Sequence, residues 1–188
     1  MVEIVQKGNK TLRKIAKEVP LSDIKTAKFK KILADMKRAL DSQHDGVAIA
    51  APQIGISLRI FLISGRVIAQ LKQEESAEPL PADKLEKTKD LIFINPKISK
   101  LSKKSEMLLE GCLSVRPLWG EVKRSTNTTI EAYDEQGKKF SRGAGGLMAQ
   151  IFQHETDHLE GVLFVDKAVN LREIVHEEIV KPKIKKSR

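Results

Sequence analysis

The spacing of apolar residues predicts helices near both ends of the chain and strands in its middle. Apolar positions recur at helical intervals in 11–18, in 22–41, around Leu147 and Ile151, and in 171–179. Ser22 is a suitable N-cap for the second of these helices, and Gly161 is a suitable end for the third. Strands are predicted at 58–63, 91–94, 97–101, 128–133, 138–141 and 163–165.

This order of elements indicates an α+β fold. We expect a mainly antiparallel sheet packed around a central helix, with further helices at the N-terminus and the C-terminus. The whole of 1–188 is interpreted as one domain. Within it, the polar stretch 64–90 is interpreted as a surface insertion and 181–188 as a basic tail.

The composition is that of a soluble globular protein. The 188 residues suffice to bury a core, and 40% of them are hydrophobic while 31% are charged. No apolar run is long enough to span a membrane, and the first residues lack the apolar core of a signal peptide. We therefore expect a cytoplasmic protein with no membrane association. Its single cysteine excludes an internal disulfide.

The net charge of +9 raises the question of a polyanionic partner. Most of the excess basic charge is dispersed, but two concentrations stand out, one on the predicted 22–41 helix and one in the tail 181–188. The chain has one Trp and one Tyr, and neither lies among these basic residues, so a surface for stacking bases is lacking. Non-specific phosphate contact is compatible with this pattern, whereas sequence-specific nucleic-acid recognition is not expected.

The candidate chemistry centres on 153–158, which reads Gln-His-Glu-Thr-Asp-His. His154 and His158 are four residues apart and share one helix face, so both can hold one metal ion while Glu155 faces its open position. The alternative is an amphipathic helix whose histidines are ordinary core or surface groups.

A catalytic site of this kind needs a third protein ligand. Phe164 stands where one class of such sites has a histidine, and phenylalanine cannot ligate. Glu178 lies at a spacing that a thermolysin-like site tolerates. Cys112 is the other candidate, because a thiolate with two imidazoles suits a borderline divalent metal. These residues alone leave the choice open.

A third segment, 46–55, is dominated by small residues and punctuated by Pro52 and Gly55. Small side chains let another backbone approach closely, which suits a packing contact and a peptide-binding edge equally well.

Three separated segments together resemble the peptide deformylase family. Its motifs Gly-x-Gly-x-Ala-Ala-x-Gln, Glu-Gly-Cys-x-Ser and Gln-His-Glu-x-Asp-His are matched in order by 46–53, 110–114 and 153–158. The resemblance extends over nearly the whole chain, from Leu12-Arg13 to 161–164.

The resemblance implies that Cys112, His154 and His158 bind one divalent metal and that Glu155 is the catalytic acid–base. It thereby favours Cys112 as the third ligand. The implied reaction is hydrolysis of the formamide on the N-terminal methionine of nascent polypeptides, with water activated by the metal as the nucleophile. The metal is expected to be Fe(II) in the cell, although Zn, Ni and Co also suit these ligands.

Further roles follow from the same resemblance. The side-chain amide of Gln53 and the backbone N–H of Leu113 would stabilise the negative oxygen that forms during hydrolysis. Glu110 and Gln153 would support the metal ligands, while for Asp157 a surface role is equally compatible. The residues expected to bind substrate, the first three as an edge strand, are Val47, Ala48, Ile49, Gly111 and Trp119.

The chain departs from the family pattern in three places. Ala48 replaces the second glycine of the first motif, and its Cβ could crowd the substrate backbone. The stretch 115–119 reads Val-Arg-Pro-Leu-Trp where many members have valine, proline and glycine, which predicts a pocket reshaped around Trp119. The insertion 64–90 is longer than in compact bacterial members.

The expected partners are N-formylmethionyl peptides and, as a hypothesis, the ribosome near its exit tunnel, which the tail 181–188 would contact. Two alternative interpretations remain. One is a thermolysin-like metallopeptidase with Glu178 as third ligand, and the other is a catalytically weak ribosome-associated homologue.

Overall fold

The computed structural model describes residues 2–76, 81 and 88–174, and its regular elements are as follows. The strands are β1 (Ala48–Ala50), β2 (Ile60–Ile63), β3 (Leu91–Leu101), β4 (Ser105–Gly111), β5 (Leu118–Ser125), β6 (Asn127–Tyr133), β7 (Lys139–Gly145) and β8 (Val169–Glu173). The α-helices are α1 (Ala27–Asp41), α2 (Gly65–Glu75) and α3 (Gly146–Leu159). Short 3-10 helices occupy Lys10–Arg13, Leu21–Asp23, Ala51–Ile54 and Phe164–Asp166.

The strands form two antiparallel sheets. One has the order β1-β2-β3-β6-β7, and the other has the order β4-β5-β8. The predicted α+β fold with mainly antiparallel strands is therefore confirmed. In the part of the chain that the structure describes, no helix is long and apolar enough to cross a membrane.

Strand β2 of the five-stranded sheet is buried on both faces, which explains why it is apolar at every position. Alternate side chains of a strand point to opposite faces. Ile60 and Leu62 accordingly pack in the cluster that contains α1, while Phe61 and Ile63 pack in the cluster that contains α3. Burial of each such side chain contributes about 1.5–3 kcal/mol. The sheet thus holds α3, which carries both histidines, in a fixed position.

The N-terminal helix boundaries differ from the prediction. Thr26, rather than Ser22, caps α1, because its hydroxyl accepts the N–H of Phe29. The predicted helix 11–18 is reduced to the 3-10 turn Lys10–Arg13, beyond which the backbone N–H of Ala16 donates to the carbonyl of Leu159 at 2.8 Å. That contact ties the segment to the end of α3 and replaces a helical hydrogen bond.

In the centre, the two strands predicted at 91–94 and 97–101 are one strand, β3, with a register shift between Ile94 and Lys97. Asn95 has a φ of +51° there and exchanges two hydrogen bonds with the backbone of Val19, each 2.8 Å long. Asparagine tolerates this conformation, so the strand continues past Pro96. The insertion 64–90 contains α2, which the sequence analysis did not predict.

Two predictions for the C-terminal part are wrong. The strand expected at 163–165 is replaced by the 3-10 helix Phe164–Asp166, in which the Asp166 carboxylate accepts the backbone N–H of Leu163 at 2.8 Å. Where the terminal helix was expected to begin, β8 pairs with the free edge of β5, Trp119 opposite Arg172. The rest of that expected helix, and the tail 181–188, lie outside the described residues.

Candidate metal and catalytic site

Cys112, His154 and His158 come together at one point, although they come from two separate segments. The helix α3 supplies both histidines, and Cys112 follows directly after β4. The possible ligand atoms of the three residues lie within 4.8 Å of one another. The Cys112 Sγ is 3.2 Å from Nε2 of His158. One thiol and two imidazole nitrogens this close together are a donor set typical of a borderline divalent metal.

The backbone at both ends of α3 fixes its position. Gly146, at its start, has a φ of +54°, and Gly161, just beyond its end, has a φ of +74°. A Cβ on Gly161 would also lie 2.8 Å from the backbone carbon of Arg13. Only glycine combines that conformation with so close an approach, and the helix is therefore pressed against the N-terminal segment.

A buried chain of charges holds His154. The Oε2 of Glu110 lies 2.9 Å from its Nδ1, and Arg124 donates to both oxygens of Glu110 at 2.7 and 2.9 Å. Arg124 also donates to Asp157 at 2.7 Å, and Asp157 in turn accepts from Lys167 at 2.7 Å. Glu110 and Arg124 are each 4% exposed. Water therefore screens the pair of Glu110 and Arg124 little.

The pKa values of this network follow from burial and its charges. Burial alone would raise the pKa of Glu110, but hydrogen bonds from Arg124 and His154 outweigh it and lower the pKa to about 2. Glu110 is thus ionised and can only accept, so the proton of His154 sits on Nδ1. Burial would lower the pKa of His154, but Cys112 and Glu110 raise it well above its usual value. The site therefore attracts positive charge.

Two buried polar atoms at this point have no hydrogen-bond partner among the described residues. They are Oε2 of Glu155 and Nδ1 of His158. Buried polar groups are nearly always paired in folded proteins. The unpaired Glu155 oxygen, the attraction for positive charge and the ligand set all fit a bound divalent cation with water beside it.

Glu155 has the protonation behaviour that a general base needs. Burial raises the pKa of its carboxyl to about 7, although the charge of His154 opposes this. Burial likewise lowers the pKa of His158 well below its usual value, which keeps that imidazole neutral as a ligand must be. A carboxylate with a pKa near neutrality can both accept and return a proton.

Gln53 aims an amide donor at the cysteine. Its side chain is 2% exposed, and its Oε1 accepts the backbone N–H of Ala50 at 2.8 Å. The Nε2 therefore points the other way, where it lies 3.5 Å from Cys112 Sγ and 3.3 Å from Ser114 Oγ. The 3-10 helix Ala51–Ile54 sets this orientation, so the donor is fixed before any ligand arrives.

A cavity of about 450 Å³ opens beside the candidate metal ligands. Four residues predicted to bind substrate, Val47, Ala48, Gly111 and Trp119, lie in its wall, and so does Leu113, the predicted backbone donor. Trp119 lies directly over Gly111, where a Cβ would come within 2.7 Å of the indole ring. The cavity lies between β1, at the edge of the five-stranded sheet, and β4, at the edge of the three-stranded sheet.

Three predicted site residues, His158, Ile49 and Gln153, do not line the cavity; His158 is buried beside Cys112. The side chain of Ile49 is fully buried on the α1 side of the sheet, because alternation along β1 sends it to the face opposite Ala48. Gln153 was expected to support the metal ligands, but its amide instead bonds the backbone of Ser125 and Ala149. It fastens α3 to the end of β5.

The sequence analysis did not identify Arg124 and Gln150 as site residues, and it did not decide between a surface role and a site role for Asp157. Gln150 donates to the carbonyl of Leu109 at 3.0 Å and to Glu110 Oε1 at 3.4 Å. Arg124 lies two residues after buried Val122 on β5, so the two side chains point to the same face. A period-two pattern in 118–125 could therefore have predicted that Arg124 points inward. Glu178, the alternative third ligand, lies outside the described residues.

Comparison with known proteins gives one consistent family. Residues 1–173 match the family model described as Polypeptide deformylase. The chain is 36% identical over 169 residues to peptide deformylase 1A, chloroplastic/mitochondrial, of Arabidopsis thaliana, which covers 89% of this chain and 61% of that relative. It is 34% identical over 169 residues to a peptide deformylase of Desulforudis audaxviator, covering 90% and 94%. The chain thus spans about three fifths of the plant relative and nearly all of the bacterial one.

Among solved structures, the chain resembles a class I type b peptide deformylase from Acinetobacter baumannii with Met-Ala-Ser bound. The TM-score is 0.72 at 27% sequence identity, and the match covers 89% of this chain and 99% of that one.

Proposed function

The chain belongs to the polypeptide deformylase family, and on that premise we propose that it is a metal-dependent hydrolase that removes the N-formyl group from the N-terminal methionine of nascent polypeptides. The observation that carries the proposal is the convergence of Cys112, His154 and His158 beside the unpaired carboxylate oxygen of Glu155. All four line or adjoin one cavity that is open to solvent.

In this proposal Cys112, His154 and His158 hold the metal ion. When bound, a divalent metal supplies a Lewis acid that polarises the formyl oxygen and makes water acidic enough to attack near neutral pH. Fe(II) is the proposed ion in the cell, and Zn, Ni or Co would suit the same donors. Activity that decays in air would support iron, because Fe(II) and a thiolate both oxidise.

Glu155 moves the proton. Its Oε2 takes a proton from the attacking water and then delivers it to the amine nitrogen that leaves as the C–N bond breaks. The products are formate and a peptide with a free amino terminus. A pKa of about 7 suits both the acceptance and the return of the proton.

Gln53 and Leu113 stabilise the negative charge that develops on the formyl oxygen. The Nε2 of Gln53 is held towards Cys112 by the hydrogen bond from Ala50 to its carbonyl oxygen. Leu113 follows Cys112 and lines the same cavity, so its backbone N–H is the second proposed donor. A fixed donor of this kind contributes about 3 kcal/mol to transition-state stabilisation.

The substrate backbone would pair with the edge of β1. The carbonyl of Val47 accepts the N–H of Ser64, which places the polar groups of Val47 towards β2. Strand alternation then directs the N–H and C=O of Ala48 away from β2, towards the cavity. The methionine side chain would occupy the apolar wall formed by Val47, Leu109, Trp119 and Leu147. The Met-Ala-Ser held by the Acinetobacter relative supports this class of ligand.

We also propose that the reaction takes place in the cytoplasm at the ribosome, where formylated chains emerge. The basic tail 181–188 would make non-specific contact with ribosomal phosphates. A chain ending at 180 should co-sediment with ribosomes less well than the full chain as salt is raised. Equal co-sedimentation of the two would remove the tail from this proposal.

The decisive assay is release of formate from formyl-Met-Ala-Ser by protein supplied with Fe(II), Zn, Ni or Co. We expect turnover with the full chain, and a strong loss in Cys112→Ser because the sulfur ligand is gone. Exchange of Glu178 for Gln should change the rate little. Failure of the parent chain with every metal, or loss on exchange of Glu178 but not of Cys112, would contradict the proposal.

A further inference from the structure

An ion pair joins two walls of the cavity at its rim. The Arg116 guanidinium donates to the Asp45 carboxylate at 2.5 Å, and both residues line the cavity. Asp45 precedes β1, and Arg116 lies in the turn between β4 and β5. The pair therefore links the segments on either side of the opening through which a peptide would leave.

Hydrogen bonds and close packing hold the backbone on both sides of this contact. On the Arg116 side, the N–H of Val115 donates to the carbonyl of Cys112 and the N–H of Leu118 to the carbonyl of Val115, both at 3.0 Å. On the Asp45 side, a Cβ on Gly46 would lie 2.7 Å from Leu40 of α1, which shows how closely this loop is packed. Two well-packed segments thus carry one partly exposed ion pair between them.

The path of the chain gives the position of this contact relative to the metal ligands. Gln53 reaches Cys112, and the backbone runs back from there through Ala48 to Asp45, away from the site. Ala48 and Asp45 are three residues apart, and Asp45 lies in the turn that precedes β1. If the methionine of a substrate pairs at Ala48, its second and third residues lie near Asp45 and Arg116.

Among the described residues, charge is otherwise scarce in this wall. The other ionisable residues that line the cavity, Glu110, Cys112, His154 and Glu155, belong to the buried metal site. The remaining lining is mostly apolar, with Leu109, Trp119 and Ile174 among its members. A charged substrate side chain therefore meets Arg116 and Asp45 at the rim.

The pair is also able to exchange partners. The side chains of Arg116 and Asp45 are 39% and 28% exposed, and ion pairs with this exposure are weak. Arginine is the more exposed member, and its planar fork binds a carboxylate through two parallel hydrogen bonds. An acidic side chain of the substrate can thus replace Asp45 as its partner.

Building on the proposed deformylase activity, we propose that Arg116 is a specificity-determining residue that favours nascent chains with Asp or Glu at the second or third position. The Asp45 carboxylate holds Arg116 at the rim in the free protein. Its negative charge also repels an acidic substrate side chain that lies next to Asp45. Arg116 acts on substrate choice and takes no part in the chemical step.

The test compares formylated peptide amides, which lack a terminal carboxylate that would compete for Arg116. The substrates are formyl-Met-Ala-Glu, formyl-Met-Ala-Lys, formyl-Met-Glu-Ser, formyl-Met-Lys-Ser and formyl-Met-Ala-Ser, each as its amide, with metal-loaded full chain at low salt. For at least one position, kcat/KM should be about three- to tenfold higher with Glu than with Lys, since a charge-assisted hydrogen bond replaces a weak pair. The ratio should decrease as salt is added.

Three variants separate the rim from general charge effects. Arg116→Gln should bring the Glu-to-Lys ratio close to one, mainly by lowering kcat/KM for the Glu peptide. The double variant Asp45→Arg with Arg116→Asp keeps an ion pair but exchanges the positions of the two charges. It should lower or reverse the Glu-to-Lys ratio of kcat/KM. Arg142→Gln is the matched control, because Arg142 is exposed on β7 and does not line the cavity. This control should keep the ratio of the parent.

Binding gives a second readout that does not need turnover. Trp119 is the only tryptophan and lies in the cavity wall, so its fluorescence should report binding of the peptides Met-Ala-Glu and Met-Ala-Lys as amides. Formate release from formyl-Met-Ala-Ser with equal rates for Glu and Lys peptides would overturn this inference and leave the proposed function intact. Absence of all turnover would contradict the proposed function. With Met-Glu-Ser and Met-Lys-Ser amides added to the binding series, equal affinity for Glu and Lys peptides at both positions would then overturn this inference.

Discussion

Oε2 of Glu110 lies 2.9 Å from Nδ1 of His154, and this contact fixes which nitrogen of the imidazole faces Cys112. Because Glu110 is ionised, it accepts the Nδ1 proton, and Nε2 is the nitrogen that gives up its proton when His154 binds a metal. A carboxylate that orients a histidine in this way also raises the basicity of the histidine as a ligand.

Glu110→Gln should therefore weaken metal binding without removing a ligand. We expect the dissociation constant for Zn or Co to rise about 10- to 100-fold, because the amide neither orients nor polarises the imidazole as well. Competition with a chelator of known affinity measures the change. Glu106→Gln, on the same strand but exposed, is the control and should keep the affinity of the parent. An unchanged affinity in the Glu110 variant would show that the contact has no influence on the ligand.

Arg124→Gln should destabilise the fold. Arg124 is 4% exposed and pairs with both Glu110 and Asp157, so its removal takes away the guanidinium that bridges these two carboxylates. Breaking a buried pair by removing one partner costs about 3–5 kcal/mol. Urea unfolding of the two proteins gives this difference directly. Arg142→Gln, which removes an exposed arginine, should change the free energy of unfolding by less than about 0.5 kcal/mol. Similar effects of the two substitutions would mean that the Arg124 network is not stabilising.

Glu110 should also make stability depend on pH in the acid range. Its pKa is about 2 in the fold and 4.5 as the reference value, so the folded state favours its ionised form. That contribution, about 3 kcal/mol, is fully present above the unfolded pKa and is lost as the pH falls towards 2. The difference in unfolding free energy between the parent and Glu110→Gln should therefore shrink as the pH falls from about 5. A difference that stays constant or grows in acid would contradict the assignment.

Glu155→Gln should separate catalysis from metal binding. The amide cannot accept or return a proton, so we expect kcat for formate release to fall about 10²- to 10⁴-fold. The three ligands are untouched, and the metal content after dialysis should equal that of the parent. Full activity in this variant would show that another group carries the proton.

The metal-ligand candidates could be predicted from the sequence more completely than the residues and elements that hold them in place. His154 and His158 are local to one helix, so their spacing predicted their shared face, and the motif around Cys112 pointed to the third donor. Arg124 was not predicted because its partners lie far from it in the chain: Glu110 meets it through the pairing of β4 with β5, and Asp157 meets it from α3.

The same limit explains the misassigned elements. The apolar spacing at 171–179 is typical of a helix, yet 169–173 pairs with the edge of β5. A free strand edge is a property of the assembled sheet and has no signal in the segment that comes to occupy it. Ile49 was expected at the substrate site for a related reason, since the motif does not show which face of β1 each side chain takes.

The most direct test of this account is the position of the metal in crystals of the full chain loaded with cobalt. An anomalous difference map should contain one strong peak within bonding distance of the Cys112 sulfur and of one ring nitrogen from each of His154 and His158. A peak that omits the sulfur, with Glu178 as the third ligand, would contradict the account, as would a cobalt-loaded crystal without a peak at these three residues.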